Sequence, residues 1–187
     1  MTGAKTNAAA SAKPAKPKRP ERSEEELSHM LKANERREKR HEPVTASVSR
    51  GSDGRLILEV PHDDHRGWLI RLGDAVGSRS DKFAMEQLQH LLTMIQPDSA
   101  RPDFNTNSML AAVDAVRPEN EIEGMLAVQM AATHQLAMTA LARTANSNTA
   151  KSVEAYTNLA TKMLRTYTTQ LEALAKLRRG GSQKVTV

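Results

Sequence analysis

ENEIEGMLAVQMAATHQLAMTALARTANSNTAKSVEAYTNLATKMLRTYTTQLEALAKLRR (119–179) decides the fold of this chain. Apolar residues recur at three- and four-residue intervals across it, the period of an amphipathic helix. One interruption, Asn146-Ser147-Asn148-Thr149, divides it. A link that short makes the two arms fold back as an antiparallel hairpin. Ile122, Leu126, Met130, Thr133, Leu136, Ala137, Ala140 and Leu141 are expected on one face of the first arm. Val153, Tyr156, Ala160, Met163, Tyr167, Gln170, Leu174 and Leu177 keep the same spacing in the second, a coiled-coil-like seam. Alanines at 127, 131, 132, 137, 140 and 142 allow close helix approach. Each arm carries a further stripe: Met125 and Val128 in the first, Leu159, Leu164 and Leu171 in the second. One hairpin cannot bury both stripes of both arms. The upstream helices or other subunits must cover the surplus, and a homo-oligomer joined through Leu159, Leu164 and Leu171 is expected.

Upstream of the hairpin the pattern stays helical as far back as Gly67. WLIRLGDAV (68–76) reads as a short helix ended by Gly77, and Ser80 or Asp81 caps KFAMEQLQHLLTMI (82–95). QPDSARPDFN (96–105) breaks the pattern, and Asn105 or Thr106 caps the next helix. Pro118 suits the first turn of the one after it. Further back, PVTASVSRGSDGRLILEVP (43–61) is the one stretch of period two. Val44, Ala46 and Val48 alternate with polar residues, Gly51-Ser52-Asp53-Gly54 turns, and Leu56, Leu58 and Val60 alternate again. That is a β-hairpin, which needs a packing surface to persist in water. SEEELSHMLKANERREKRH (23–41) opens on a capping box of Ser23 and Glu26 and has acids first, bases last. Only Leu27, Met30 and Leu31 give it an apolar side.

The chain therefore reads as mainly α: a helical bundle with a long C-terminal antiparallel helical hairpin, a small β-hairpin near 44–60 and a disordered N-terminal arm. The segments are a basic arm (1–22), a charged helix (23–42), the β-hairpin (43–61), a short helical hairpin (62–100), the helical hairpin domain (101–181) and an extended tail (182–187).

Composition supports this. Aromatics are 3% of 187 residues, so Leu, Met, Ala and Val must build the core, which suits helices better than sheets. Cysteine is absent, which excludes disulfides and thiolate metal sites. No apolar run approaches the ~20 residues of a membrane helix. The N-terminus has no apolar core of a secretory signal, and a cytoplasmic location is expected. Net charge is +5 and uneven. Residues 1–22 hold Lys5, Lys13, Lys16, Lys18, Arg19 and Arg22 against the single acid Glu21. Such an arm, rich in Ala, Lys and Pro, buries nothing and suits a polyanion, because neutralising phosphates releases counterions without a folded site.

Three places carry residues that suit a site. PHDDHRGW (61–68) holds His62, Asp63, Asp64 and His65, a metal-capable set, but contiguous residues converge poorly on one ion. A polar turn whose Asp63 or Asp64 caps the helix around Trp68 is the expected reading. His134 faces the hairpin seam and could reach Gln170, a register-fixing contact rather than a catalytic one. LIRLGDAVGSRSDKFAMEQL (69–88) passes part of a helix-turn-helix test: Gly73 and Gly77 fit, as do Leu72, Val76 and Phe83, while Ser78 and Glu86 do not. Arg79 and Lys82 could then reach phosphates. No phosphate loop or nucleophile elbow is present. Neither a cofactor nor a metal nor a small-molecule substrate is expected.

The chain closes on RRGGSQKVTV (178–187). Gly180 stands where a left-handed helix cap is expected, and the alternating Lys184–Val187 could add a strand to the β-hairpin or to a neighbouring subunit. With MLAVQMAATHQLAM (125–138) and YTTQLEALAKLRRGGSQKVTV (167–187), the chain resembles a family of uncharacterised alphaproteobacterial proteins, often associated with mobile elements or phages. The resemblance implies a helical hairpin with a Gly-Gly-x-Gln-Lys-Val-Thr-Val tail and no assigned activity. The leading expectation is a non-enzymatic, self-associating, DNA-associated accessory protein. By architectural analogy, a small-terminase-like packaging subunit is one form of it. DNA contact is expected at Lys13, Lys16, Lys18, Arg19, Arg22, Arg79 and Lys82, nonspecifically and without a membrane. The alternative is a helical protein–protein interaction module.

Overall fold

A computed structural model describes residues 21–96 and 99–180. Residues 1–41 and 42–187 form separate units. In the first, α1 (Glu24–Glu38) starts where Ser23 Oγ accepts the Glu26 N–H at 3.2 Å. Arg22 pairs with Glu26 at 3.8 Å. No residue of α1 is buried, and Leu27, Met30 and Leu31 are exposed. The rest of the basic arm, with Lys13, Lys16, Lys18 and Arg19, lies outside the described residues, as does the tail from 181 onward.

The second unit opens on β1 (Ser47–Arg50) and β2 (Leu56–Glu59), antiparallel with Val48 opposite Leu58. The Gly51–Gly54 turn closes it through a Gly54 N–H to Gly51 carbonyl bond, with Gly54 at φ +80°. Five helices follow: α2 (His65–Ala75), α3 (Asp81–Thr93), α4 (Pro102–Val116), α5 (Glu121–Ala145) and α6 (Ala150–Arg179). The mainly helical class, the small β-hairpin and the long C-terminal helix pair all stand as expected.

The packing surface the hairpin needs is α4. Three side chains spaced four and seven residues apart lie on one face of α4 and take the place of a third strand. The N–H groups of Val44, Ala46 and Val48 donate to Asp114 Oδ2, Asn107 Oδ1 and Asp103 Oδ1 at 2.9, 2.8 and 3.0 Å. Asn107 Nδ2 also donates to the Ala46 carbonyl at 2.8 Å. Three N–H groups and one carbonyl along this edge are thus paired, which lets Val44, Ala46 and Val48 join the core. Trp68 Nε1 donates to the Thr45 carbonyl at 2.7 Å and pins the same segment to α2. Leu72, Val76, Leu88, Leu91, Leu110 and Val113 complete a core drawn from β1, α2, α3 and α4, with Ala127, Val128 and Ala131 of α5 against it.

Several boundaries and faces depart from the sequence reading. α4 begins four residues early, at Pro102. Thr106 is buried inside it and donates to the Pro102 carbonyl instead of capping. Proline's missing N–H makes a start there free of loss, a signal that the break at 96–105 masked. Pro118 lies in the link before α5, where Asn120 Oδ1 caps Ile122 and Glu123. Of the further stripe on α5, Val128 is covered by the upstream helices, one of the two covers expected, whereas Met125 stays exposed. Ile122, placed in the seam, is 60% exposed. Leu159, Leu164 and Leu171 are not one stripe either. At 100° per residue, Leu159 and Leu164 stand about 140° apart, whereas Leu164 and Leu171 nearly coincide. Leu164 and Leu171 are exposed and Leu159 is half-buried. Gly180 is right-handed, at φ −66°, not a left-handed cap.

Candidate nucleic-acid interface

Beyond the C-terminal end of α3, three elements bring arginines together. β1 ends on Arg50, whose guanidinium donates to the Gly54 carbonyl at 2.6 Å and to the Gln96 carbonyl at 3.4 Å. α4 is preceded by Arg101, whose guanidinium carbon lies 4.0 Å from the Phe104 ring centroid. α5 ends near Arg143, which donates to Gln96 Oε1 at 3.0 Å and sits 5.9 Å from the Tyr156 ring. Gln96 therefore links Arg50 and Arg143. Among the described residues none of the three arginines is in an ion pair. Phe104 is 57% exposed, an apolar ring left open beside a cation.

Arg50, Arg101 and Phe104 line an open cleft of about 970 Å³ with Val48, Ser99 and Asn107. One carboxylate, Asp103, shares it, but its Oδ1 is already the acceptor for Val48 N–H and Asn107 Nδ2. An arginine stacked on an aromatic face keeps its in-plane N–H groups free for phosphate oxygens. The part of the ring that Arg101 leaves exposed offers a platform for a base. The arrangement can hold an anionic polymer that carries flat bases.

Two of the sequence-predicted cations, Arg79 and Lys82, lie elsewhere on this unit. Arg79 and Lys82 are exposed at the N-terminal end of α3, about 20 Å away along that helix at 1.5 Å per residue. The helix-turn-helix glycines are real structural requirements. Gly77 has φ +68°, and a Cβ there would meet the Pro118 carbonyl oxygen at 2.5 Å. Gly73 packs under Ser78. The surroundings of Arg79 are nevertheless acidic: Asp74, Asp81, Glu119 and Glu121 line the same depression. Arg66 already pairs with Asp81 at 2.7 Å. The Glu121 carboxyl is held below the usual range, first by its own backbone N–H at the start of α5 and then by the Ser78 hydroxyl. A phosphate arriving at Arg79 would meet these carboxylates.

The other candidates resolve plainly. Asp64 Oδ1 accepts the Gly67 N–H at 2.8 Å and caps α2. His65 stands edge-on to Trp68 at 6.4 Å, and His62 is exposed. No three His, Asp or Glu among the described residues are placed to share a metal ion. His134 meets Tyr167, with ring centroids 5.9 Å apart, rather than Gln170, whose Oε1 is buried without a hydrogen-bond partner. Sequence reasoning missed Arg50, Arg101, Phe104, Arg143 and Tyr156. They are scattered from 50 to 156, and only the Arg101–Phe104 spacing of three, one helical turn, was a readable signal.

No protein-family model, curated protein or solved structure matches this chain.

Proposed function

We propose that this chain is a non-enzymatic, self-associating, DNA-associated accessory protein that holds single-stranded DNA without reading its sequence. The observation that carries the reading is the cleft lined by Arg50, Arg101 and the exposed Phe104 ring, neither arginine being in an ion pair among the described residues. Phosphates go to the guanidinium groups, and a base stacks on the ring. A duplex keeps its bases stacked on one another and offers nothing to Phe104. The basic arm adds sequence-independent attraction. Fluorescence anisotropy with a labelled oligothymidine and a matched duplex, each across a salt series, tests this. Arg50→Ala with Arg101→Ala is expected to flatten the single-strand salt slope by about 1.4 units, at ~0.7 per phosphate. Phe104→Ala is expected to weaken binding by about 1–3 kcal/mol with the slope unchanged. Equal affinity of wild type and triple variant for both DNA forms would refute the assignment.

The exposed Leu164 and Leu171 on α6 favour a second reading, a helical module that docks on another protein. DNA binding by the full chain with no other protein present, set against its absence, separates the two.

A further inference from the structure

α6 is a helix of 30 residues of which only Ala160 and Leu174 are buried. It packs on α5 along one side. Beside that contact Leu164, Thr168, Leu171 and Ala175 fall within about a 60° arc, one helical turn from each to the next. Leu164 and Leu171 flank Tyr167, which with Met109, Ala112, Met130 and His134 lines a groove of about 280 Å³ between α4, α5 and α6. Next to the leucines, on the solvent side, stand Arg165 and Glu172, both exposed and neither in an ion pair within the described residues.

We infer that this stripe is a two-fold interface between two copies of the chain, with the α6 helices antiparallel about Thr168. This rests on the self-associating part of the reading above and names its surface. The argument is self-complementarity. A two-fold contact requires one patch to match itself when turned around. Leu164 and Leu171 are spaced evenly about a point just before Thr168, and Arg165 and Glu172 about a point just after it. Turning α6 around that axis sets Leu164 against Leu171 of the partner subunit and Arg165 against Glu172 of the partner subunit. Both contacts occur twice. The opposite charges flank the apolar centre where a rim belongs. A parallel pairing would instead face leucine with leucine but arginine with arginine and acid with acid. Leu159, turned away and half-buried, takes no part.

The experiment is sedimentation equilibrium of the full chain and four variants: Arg165→Glu, Glu172→Arg, the two together, and Leu164→Lys with Leu171→Lys. Circular dichroism checks that each keeps its helix content. Wild type is expected to be a dimer. Each single reversal creates two like-charge contacts and is expected to weaken the dimer about tenfold or more, and the double swap to restore it to within a few-fold. The lysine pair should be monomeric. A wild-type dimer indifferent to every one of these changes would overturn this surface and leave self-association standing. A wild-type monomer would overturn both. Loss in the single variants without recovery in the double swap would count against the antiparallel pairing.

Discussion

Asn107 holds both the N–H and the carbonyl of Ala46, and that double contact sets what its loss should do. Each bond is 2.8 Å long. Truncation to alanine removes these two bonds, worth ~1 kcal/mol each, and the exposed 3.2 Å bond to Asp103 Oδ1, which adds little, and it leaves the part-buried Ala46 N–H without a partner, at a further ~1 kcal/mol. The expected loss is about 3 kcal/mol. For a unit of this size that lowers the melting temperature by about 6–12 °C. The assay is urea unfolding, read alongside hydrogen exchange at individual amides. The Ala46 amide should lose protection first, because its only acceptor is the deleted side chain. Asn107→Asp makes a sharper control. Its carboxylate still accepts from the N–H but faces the Ala46 carbonyl with a second oxygen. The ionised form is disfavoured, so the folded-state pKa of the new acid is raised. The variant should then regain stability below about pH 4, the ordinary carboxylate range, and lose it as pH rises through the raised folded value. Loss under 0.5 kcal/mol for the alanine variant, with the Ala46 amide still protected, would refute the idea that α4 substitutes for a third strand. Because β1 carries Arg50, the same variant should also weaken single-stranded DNA binding.

Arg178 donates to Glu123 Oε2 from two nitrogens, at 2.9 and 3.2 Å, and to the Val116 carbonyl at 2.8 Å, so Arg178→Ala should destabilise by about 2 kcal/mol in thermal melts. The Glu123 carboxyl is held below its ordinary range chiefly by Arg178; its contribution is present above the unfolded carboxylate pKa and lost as pH falls through the folded value, and Arg178→Ala should erase that acid-side loss. Gly77→Ala combines a φ of +68° with a Cβ against the Pro118 carbonyl and should cost about 2 kcal/mol or more, measured by urea titration. Deleting residues 1–22 should flatten the salt dependence of DNA affinity by several units, at ~0.7 to 0.9 per phosphate; an unchanged slope in anisotropy would exclude the arm as a contact.

What could be read from sequence followed from periodicity. The 3.6-residue pattern between 119 and 179 and the two-residue pattern between 44 and 60 each belong to a chain segment that decides its own local structure. Caps were legible for the same reason: Ser23, Asp64 and Ser80 each bond within three residues of themselves. Faces were not. Whether Val128 meets α6 or the core depends on where α3 and α4 lie, and no local pattern carries that. The error over Leu159 was different in kind, since a spacing of five already placed it off the stripe of Leu164 and Leu171.

The arginine cleft was hidden for a further reason. Its side chains come from the end of β1 and from the start of α4 with the residues just before it, and none is unusual where it stands. What makes them a set is that α4 does two jobs along one face. Asp103, Asn107 and Asp114 bind the edge of β1, and this draws the strand across the helix in a fixed register. That register brings Arg50, the last residue of β1, beside the first turn of α4, where Arg101 and Phe104 stand. The polar residues that look like surface decoration on α4 are therefore what assembles the cleft. A substitution that breaks the Asn107 contact should disperse the site without touching an arginine, whereas Arg101→Ala should remove one of its two cations and leave the fold intact. The two variants separate an interface built by the fold from one that only happens to be basic.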